Sequence, residues 1–309
     1  MSAAAVGRGL AGSAVPAAGT IVAAAVCLAF AMTLQVVRDR IYPRQDAATE
    51  PLLYVRSPQA LDRIVLGFDA LAADVYWVRA IQHYGGERLA PNTSGRKYEL
   101  LYPLLDIATT LDPYFNIAYR FGGIFLSEDY PGGAGRPDRA IQLLRKGIAQ
   151  NRGKWQYHHD IAFIYYWALH NRAEAATWFR RAAAQPDAPN WLLPLAASML
   201  VEANDRASSR YLWGEIAQSD QEWLRSRAER ALLQLDAMDQ IDALTGVLKG
   251  RLRMISAPYS WQRLLEAGVI RTIPADPSNT PYALDSVTGE IKVASASPLF
   301  PMPRTGSPR

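Results

Sequence analysis

The chain has one cysteine, four histidines and almost no charge imbalance. Each shortage excludes something. Cys27 stands alone in an apolar run, so no disulfide closes within the chain and cysteine usage does not report the compartment. With 33 basic and 29 acidic residues the formal net charge is +4, too mild and too evenly spread for a nucleic-acid surface. A glycine loop leading to a Lys-Ser or Lys-Thr pair is missing. Gly132-Gly133-Ala134-Gly135 carries no lysine and reads as an inter-helix loop. There is no Gly-x-Ser-x-Gly elbow and no pair of histidines four apart around a glutamate.

His158, His159 and Asp160, with His170, form the one cluster of metal-type ligands. Adjacent helix residues diverge by about 100°, so both histidines cannot easily face one ion. The expectation is no metal, with His158 packed between helices and His159 facing a groove. Asp62, Asp69 and Asp74 read as a solvated or capped helix face, with Asp74 the one expected to pair with Arg79 or Arg120. Nothing supports catalysis, a cofactor or a small-molecule substrate.

What is present is apolar. Half of the 309 residues are hydrophobic, enough for the core of one or two domains. Ala17 to Val37 carries no charge and, as a helix, spans a bilayer core of about 30 Å. Arg38, Asp39 and Arg40 end it. It reads as a single membrane anchor, with a cleaved secretory signal as the rival because Ala29-Phe30-Ala31 is small-x-small. A count of Arg8 against Arg38, Arg40 and Arg44 puts the following domain in the cytoplasm. A short segment, one anchor and a long soluble domain is also the arrangement of an exported domain. The reading adopted is a single-pass inner-membrane protein with its domain on the extracytoplasmic side. Residues 1–16 are then an N-terminal tail and 38–56 a linker.

Ser57-Pro58 opens a helix with Leu61, Ile64, Val65 and Phe68 on its apolar stripe. Leu71, Val75, Trp77, Val78 and Ile81 continue the helical period to Gly85-Gly86. Tyr98 to Leu111 is the next helix, closed by Asp112-Pro113. From Asn116 to Ala217 the pattern repeats as pairs of helices. His158, Ile161, Ala162 and Tyr165 on one helix are answered by Ala175, Phe179, Ala182 and Pro186 on the next. Small residues there let two helices approach, large ones fill the gap, and the proline starts the exit. Ala118, Phe121, Gly122, Phe125, Ala140 and Leu144 repeat the pattern before it, around a loop insertion from Pro131 to Pro137. Leu192, Leu195, Ala196, Met199, Ala207 and Tyr211 repeat it after.

These spacings resemble the tetratricopeptide-repeat family, with Ala118, His158 and Leu192 in place of its first-helix tryptophan. The resemblance implies an all-α helical-repeat solenoid over residues 57–253. It also implies that first helices line a concave groove that takes a protein or peptide partner. Carried over position by position, the partner-binding residues are Asn116, Tyr119, Gln156, His159, Phe163, Tyr166 and Asn190. The other reading is an accessory subunit packed permanently in a membrane complex, its groove closed by its own C-terminal tail.

Gln221 to Arg253 reads as a long helix that caps the repeats, as terminal repeats require. Residues 254–297 form a C-terminal appendage: a short helix from Ser260 to Ala267, then two short strands around a turn at Thr288-Gly289. A lone hairpin is marginal, so it must dock on something, and the plain reading is a C-terminal lid packed on the helical body. Asp276-Pro277, Pro281-Tyr282 and Thr288-Gly289 resemble the C-terminal region of type II secretion pseudopilins, without the tryptophan and glycine those carry. That resemblance implies an envelope secretion or pilus-type assembly. Residues 298–309 are proline-rich and expected to be a disordered tail.

Overall fold

The structure is a computed structural model that describes residues 17–41, 67–91, 95, 97–251 and 257–305. The expected tail 1–16, most of the linker, the helix start at Ser57-Pro58 with Leu61, Asp62, Ile64 and Val65, and residues 306–309 lie outside the described residues. The chain divides into two compact units, Met1–Leu52 and Leu53–Arg309.

The first unit contains helix α1, Ala17–Ile41. Its described side chains are Gly19 and Ile21 to Val37, all exposed and none charged. Among the described residues, no helix is long and apolar enough to cross a membrane.

The second unit is built from helix pairs, each packed on the next. They are α2 (Asp69–Leu89) with α3 (Leu101–Leu111), α4 (Asn116–Ser127) with α5 (Pro137–Gln150), α6 (Trp155–Trp167) with α7 (Arg172–Ala183), and α8 (Leu192–Glu202) with α9 (Arg206–Ile216). Helix α10 (Glu222–Arg251) follows and packs on α9. Local signals punctuate these elements. Pro137 supplies a preset φ at the start of α5. Asn171 caps α7 by accepting from the Glu174 N–H, and Asp205 caps α9 by accepting from the Ser208 N–H. The residue before each cap, His170 and Asn204, has positive φ and turns the chain between paired helices. His170 is thus a turn residue.

The second helices share one burial pattern. Leu104, Leu105, Ile107, Ala108 and Leu111 are buried on α3, and Ala140, Ile141, Leu143, Leu144 and Gly147 on α5. Ala175, Ala176, Trp178, Phe179 and Ala182 match them on α7, and Ser209, Leu212, Trp213 and Ile216 on α9. The sets begin at Leu104, Ala140, Ala175 and Ser209, at intervals of 36, 35 and 34 residues. This is the period of a stacked helix-pair repeat.

Two registers differ from the sequence reading. On α4 the buried set is Ala118, Tyr119, Gly122, Gly123 and Leu126, which aligns with buried Tyr157, His158, Ile161 and Ala162 and half-buried Tyr165 on α6. The first helix of that pair is therefore one residue out from the expected register, and Phe121 is half exposed rather than core. The cause is close packing. A Cβ on Gly122 would lie 2.9 Å from Leu105 Cδ1 and from Leu143 Cδ2, so a side chain at this position would have to displace those leucines. On α9, Ser209 and Trp213 take the places expected for Ala207 and Tyr211, and Tyr211 is exposed.

Polar staples cross the stack. Lys146 on α5 donates to Asp106 O and Oδ1, Thr109 Oγ1 and Thr110 Oγ1 at the end of α3. Arg206 and Arg210 on α9 pair with Asp236, Asp239 and Asp242 on α10. The loop inserted at Pro131 is anchored: Arg88 donates to Gly132 O at 2.9 Å and pairs with Glu128.

The appendage docks as expected. Helix α11 (Trp261–Glu266) and strands β1 (Ala283–Leu284) and β2 (Ile291–Lys292) form it, with the strands antiparallel and Leu284 opposite Ile291. Trp261, Leu264, Tyr282, Ile291, Val293 and Leu299 build a small core against Ala237 and Leu248 of α10. The Tyr282 hydroxyl, 2.7 Å from Gln240 Oε1, fixes the hairpin to that helix. The expectation of a disordered tail fails for residues 298–305. Leu299 is 1% exposed, and its neighbours are held by side chains of α10.

Candidate partner-binding groove

The first helices α4 and α6 are tied by one ion pair. Arg120 donates from Nε to Asp160 Oδ2 at 2.6 Å and from Nη2 to Oδ1 at 3.2 Å. This bidentate, half-buried bridge fixes which faces of the helices adjoin. Residues three and four positions away lie on the same rows. Ile117, Arg120 and Ile124 form the row on α4, with Phe121 beside it. Asp160, Phe163 and Trp167 form the row on α6. Ile117, Phe121 and Ile124 are each about half exposed, Phe163 is 46% exposed and Trp167 is 64% exposed. Phe163 and Trp167 stack with ring centroids 6.3 Å apart. The result is an open apolar surface across two helices, with a charged pair set into it. Isolated exposed apolar residues are ordinary, but five on adjoining rows make a patch of the kind that marks an interaction site.

At the start of α6 the surface changes. The His159 ring lies among Trp155, Phe179 and Trp191, at 6.0, 5.6 and 5.8 Å, and its Nδ1 is 3.0 Å from Asp160 Oδ1. Asp160 thus joins the inter-helix bridge to an aromatic box. Among the described residues no group of His, Cys, Asp and Glu is placed to hold a metal ion.

The expected partner-binding residues separate into three groups. Phe163 lies on the open patch and His159 at its edge. Tyr166 is half buried beneath the Arg172 guanidinium, which sits 6.0 Å from its ring centroid and donates to Glu202 at 2.8 Å. Asn116 and Gln156 sit at the starts of α4 and α6, each with a buried carbonyl oxygen that has no hydrogen-bond partner among the described residues. Two do not join the patch. Tyr119 is 0% exposed: its hydroxyl donates to Thr109 O at 3.1 Å and its ring packs 5.4 Å from Tyr157. The one-residue register shift puts it in the core, where it cannot touch a partner. Asn190 opens instead on a cavity of about 450 Å³ lined by Arg180, Leu212, Glu215, Ile216 and Leu224, on the side of the second helices. Asp74 is exposed, and Arg120, one of its expected partners, is engaged by Asp160.

Sequence reasoning missed Ile117, Phe121, Ile124 and Trp167. The signal lay in α4 itself, where Ile117, Phe121 and Ile124 recur at four and three residues, opposite Tyr119, Gly122 and Leu126.

Burial controls the nearby titrations. It pushes the Tyr157 hydroxyl up to about 12. It pushes the His158 imidazole below its ordinary value, with Arg181 acting in the same direction. His158 therefore stays neutral between α6 and Trp178, as a packing residue.

Comparison with protein-family models, with curated proteins and with solved structures gave no match.

Proposed function

We propose that this protein is a membrane-anchored, tetratricopeptide-like scaffold that binds a peptide segment of a protein partner along its first helices. The observation that carries the reading is the open patch of Ile117, Phe121, Ile124, Phe163 and Trp167, aligned by the Arg120–Asp160 bridge. Fully burying one such side chain stabilises a complex by about 1.5–3 kcal/mol, so a few of them suffice for a specific contact. The anchor reading rests on the whole uncharged run from Ala17 to Val37, of which Ala17, Ala18 and Thr20 lie outside the described side chains. As a helix, that uncharged run is about 31 Å long, close to the thickness of a bilayer core. The repeats are assigned to the extracytoplasmic side of an inner membrane. An envelope secretion or pilus-type assembly is the proposed setting, supported by the pseudopilin-like string from Asp276 to Gly289.

Affinity capture from solubilised membranes tests the groove. One co-purifying protein is expected with the wild-type chain and at least tenfold less of it with Phe121→Ser/Phe163→Ser. Equal recovery from both chains sinks the groove reading. Alkaline carbonate extraction tests the anchor: the full chain stays with the membrane, and release into the wash refutes the span.

A further inference from the structure

The far end of the same row of first helices is already occupied, by the chain itself. Arg230 donates to Pro298 O at 3.1 Å and to Phe300 O at 2.8 Å. One turn further along α10, Gln234 donates to Leu299 O at 2.7 Å and to Pro301 O at 2.9 Å. Two side chains thus read four consecutive backbone carbonyls. The segment suits such a reader. Pro298, Pro301 and Pro303 have no N–H, and the N–H groups of Leu299 and Phe300 are taken up by Ser297. Apart from the Met302 N–H, it offers acceptors, and Arg230 and the Gln234 amide nitrogen offer donors only.

The seat begins on α8, the first helix that follows α6 in the stack. Ser198 and Val201 of α8 line it, with Trp213, Arg227, Arg230 and Gln234. Val201 adjoins Glu202, and Arg172 ties Glu202 to Tyr166 on α6. The tail fills its seat incompletely: a cavity of about 230 Å³ remains beside Pro301, Met302 and Pro303. Contacts to backbone carbonyls recognise a class of segment, with little demand on its side chains. Leu299 is the deep anchor, held in the small core it shares with Trp261, Leu264 and Tyr282 beside α10, and Met302 packs against both cores.

We propose that residues 298–303 are an intramolecular ligand, and that their seat on α8 and α10 accepts in exchange a proline-interrupted, carbonyl-presenting segment of a protein partner. This rests on the groove reading above and names the chemistry of the peptide it takes. The tail then sets a threshold, because a partner must out-compete a ligand that is always present.

A labelled peptide of residues 297–305 is the probe, titrated onto the full-length chain in detergent. Wild type is expected to bind it weakly. Leu299→Ser, which frees the tail, is expected to bind at least tenfold tighter, and Leu299→Ser/Arg230→Ala to lose that gain. A scrambled peptide of the same composition is expected not to bind. Equal binding to wild type and Leu299→Ser, no binding to either, or equal binding of the scrambled peptide overturns the proposal. Hydrogen exchange on the wild-type chain covers the case in which Leu299→Ser fails to fold. The amides of Leu299, Phe300 and Met302 are expected to exchange faster with peptide in excess, and unchanged exchange overturns the proposal. The groove reading fails separately, by equal partner recovery in the Phe121→Ser/Phe163→Ser capture with peptide exchange intact.

Discussion

The two ends of the groove solve opposite problems. At α8 and α10 the surface is covered by the chain's own tail, held by donors that read backbone carbonyls and by one deep anchor, Leu299. At α4 and α6 the surface is open and apolar, and the Arg120–Asp160 pair set into it is spent on aligning the helices. The covered end holds its own tail by polar recognition of the backbone with a single apolar plug. The open end has the apolar side chains without the occupant. Stability should therefore depend on the apolar anchor at the covered end and be nearly indifferent to the exposed apolar side chains at the open end, while partner recovery follows the open end.

The largest effect is expected at the covered end. Leu299→Ala removes most of a buried side chain and should cost about 3 kcal/mol in thermal or denaturant unfolding. Phe163→Ser at the open end should shift the same melt by less, about 0.5–1 kcal/mol, because nearly half of that side chain is already exposed. Equal costs for the two would erase the distinction. Next comes the bridge. Arg120→Ala leaves Asp160, with only 13% of its side chain exposed, without its cation and should cost about 2 kcal/mol. The aromatic groove variants should not add to that loss. Smaller again is Gln234→Ala, which strips the donor from two carbonyls and should cost about 1 kcal/mol, seen as faster amide exchange confined to the tail.

Acid sharpens the comparison, because the two ends titrate in different windows. His158 beneath the open end has its folded value pushed below 6.5 by burial, so the neutral ring is favoured in the fold. Its contribution is complete above about pH 6.5 and is lost as pH falls through the lowered value. Asp276 beneath the tail is different. Burial raises it, but hydrogen bonds from Ser297, Ser278 and the Thr280 N–H outweigh that and hold it below its ordinary 3.8. Its contribution is complete above that value and is lost only in stronger acid. On acidification, exchange in α6 should rise first and exchange in the tail last. His158→Leu should remove the early step.

Much of the fold was legible because it rests on short spacings. The second pair, from His158 to Ala182, could be read directly, and so could the short helix that starts at Ser260 and the docking need of the hairpin. What failed was degenerate locally. Gly122 and Gly123 stand side by side, so either fits the small position of a first helix; packing against Leu105, Leu143 and Leu144 chooses between them. Ala207 with Tyr211 and Ser209 with Trp213 both read as small-then-aromatic at four residues, and burial selects the second. Part of the site was lost with the first of these slips, since it moved Tyr119 into the groove and Phe121 out of it. The tail was illegible for another reason. Three prolines near a terminus read as fraying, and the side chains that hold them lie 65 to 70 residues earlier.

The most direct measurement is a photocrosslinking scan in native membranes, with a reactive residue placed in turn at Ile117, Phe121, Ile124, Phe163 and Trp167, and at Tyr211 for contrast. Adducts to one and the same protein from the five groove positions, with none from Tyr211, are the expected result. Adducts from Tyr211 as strong as those from the groove, or a groove that yields none, contradict the account.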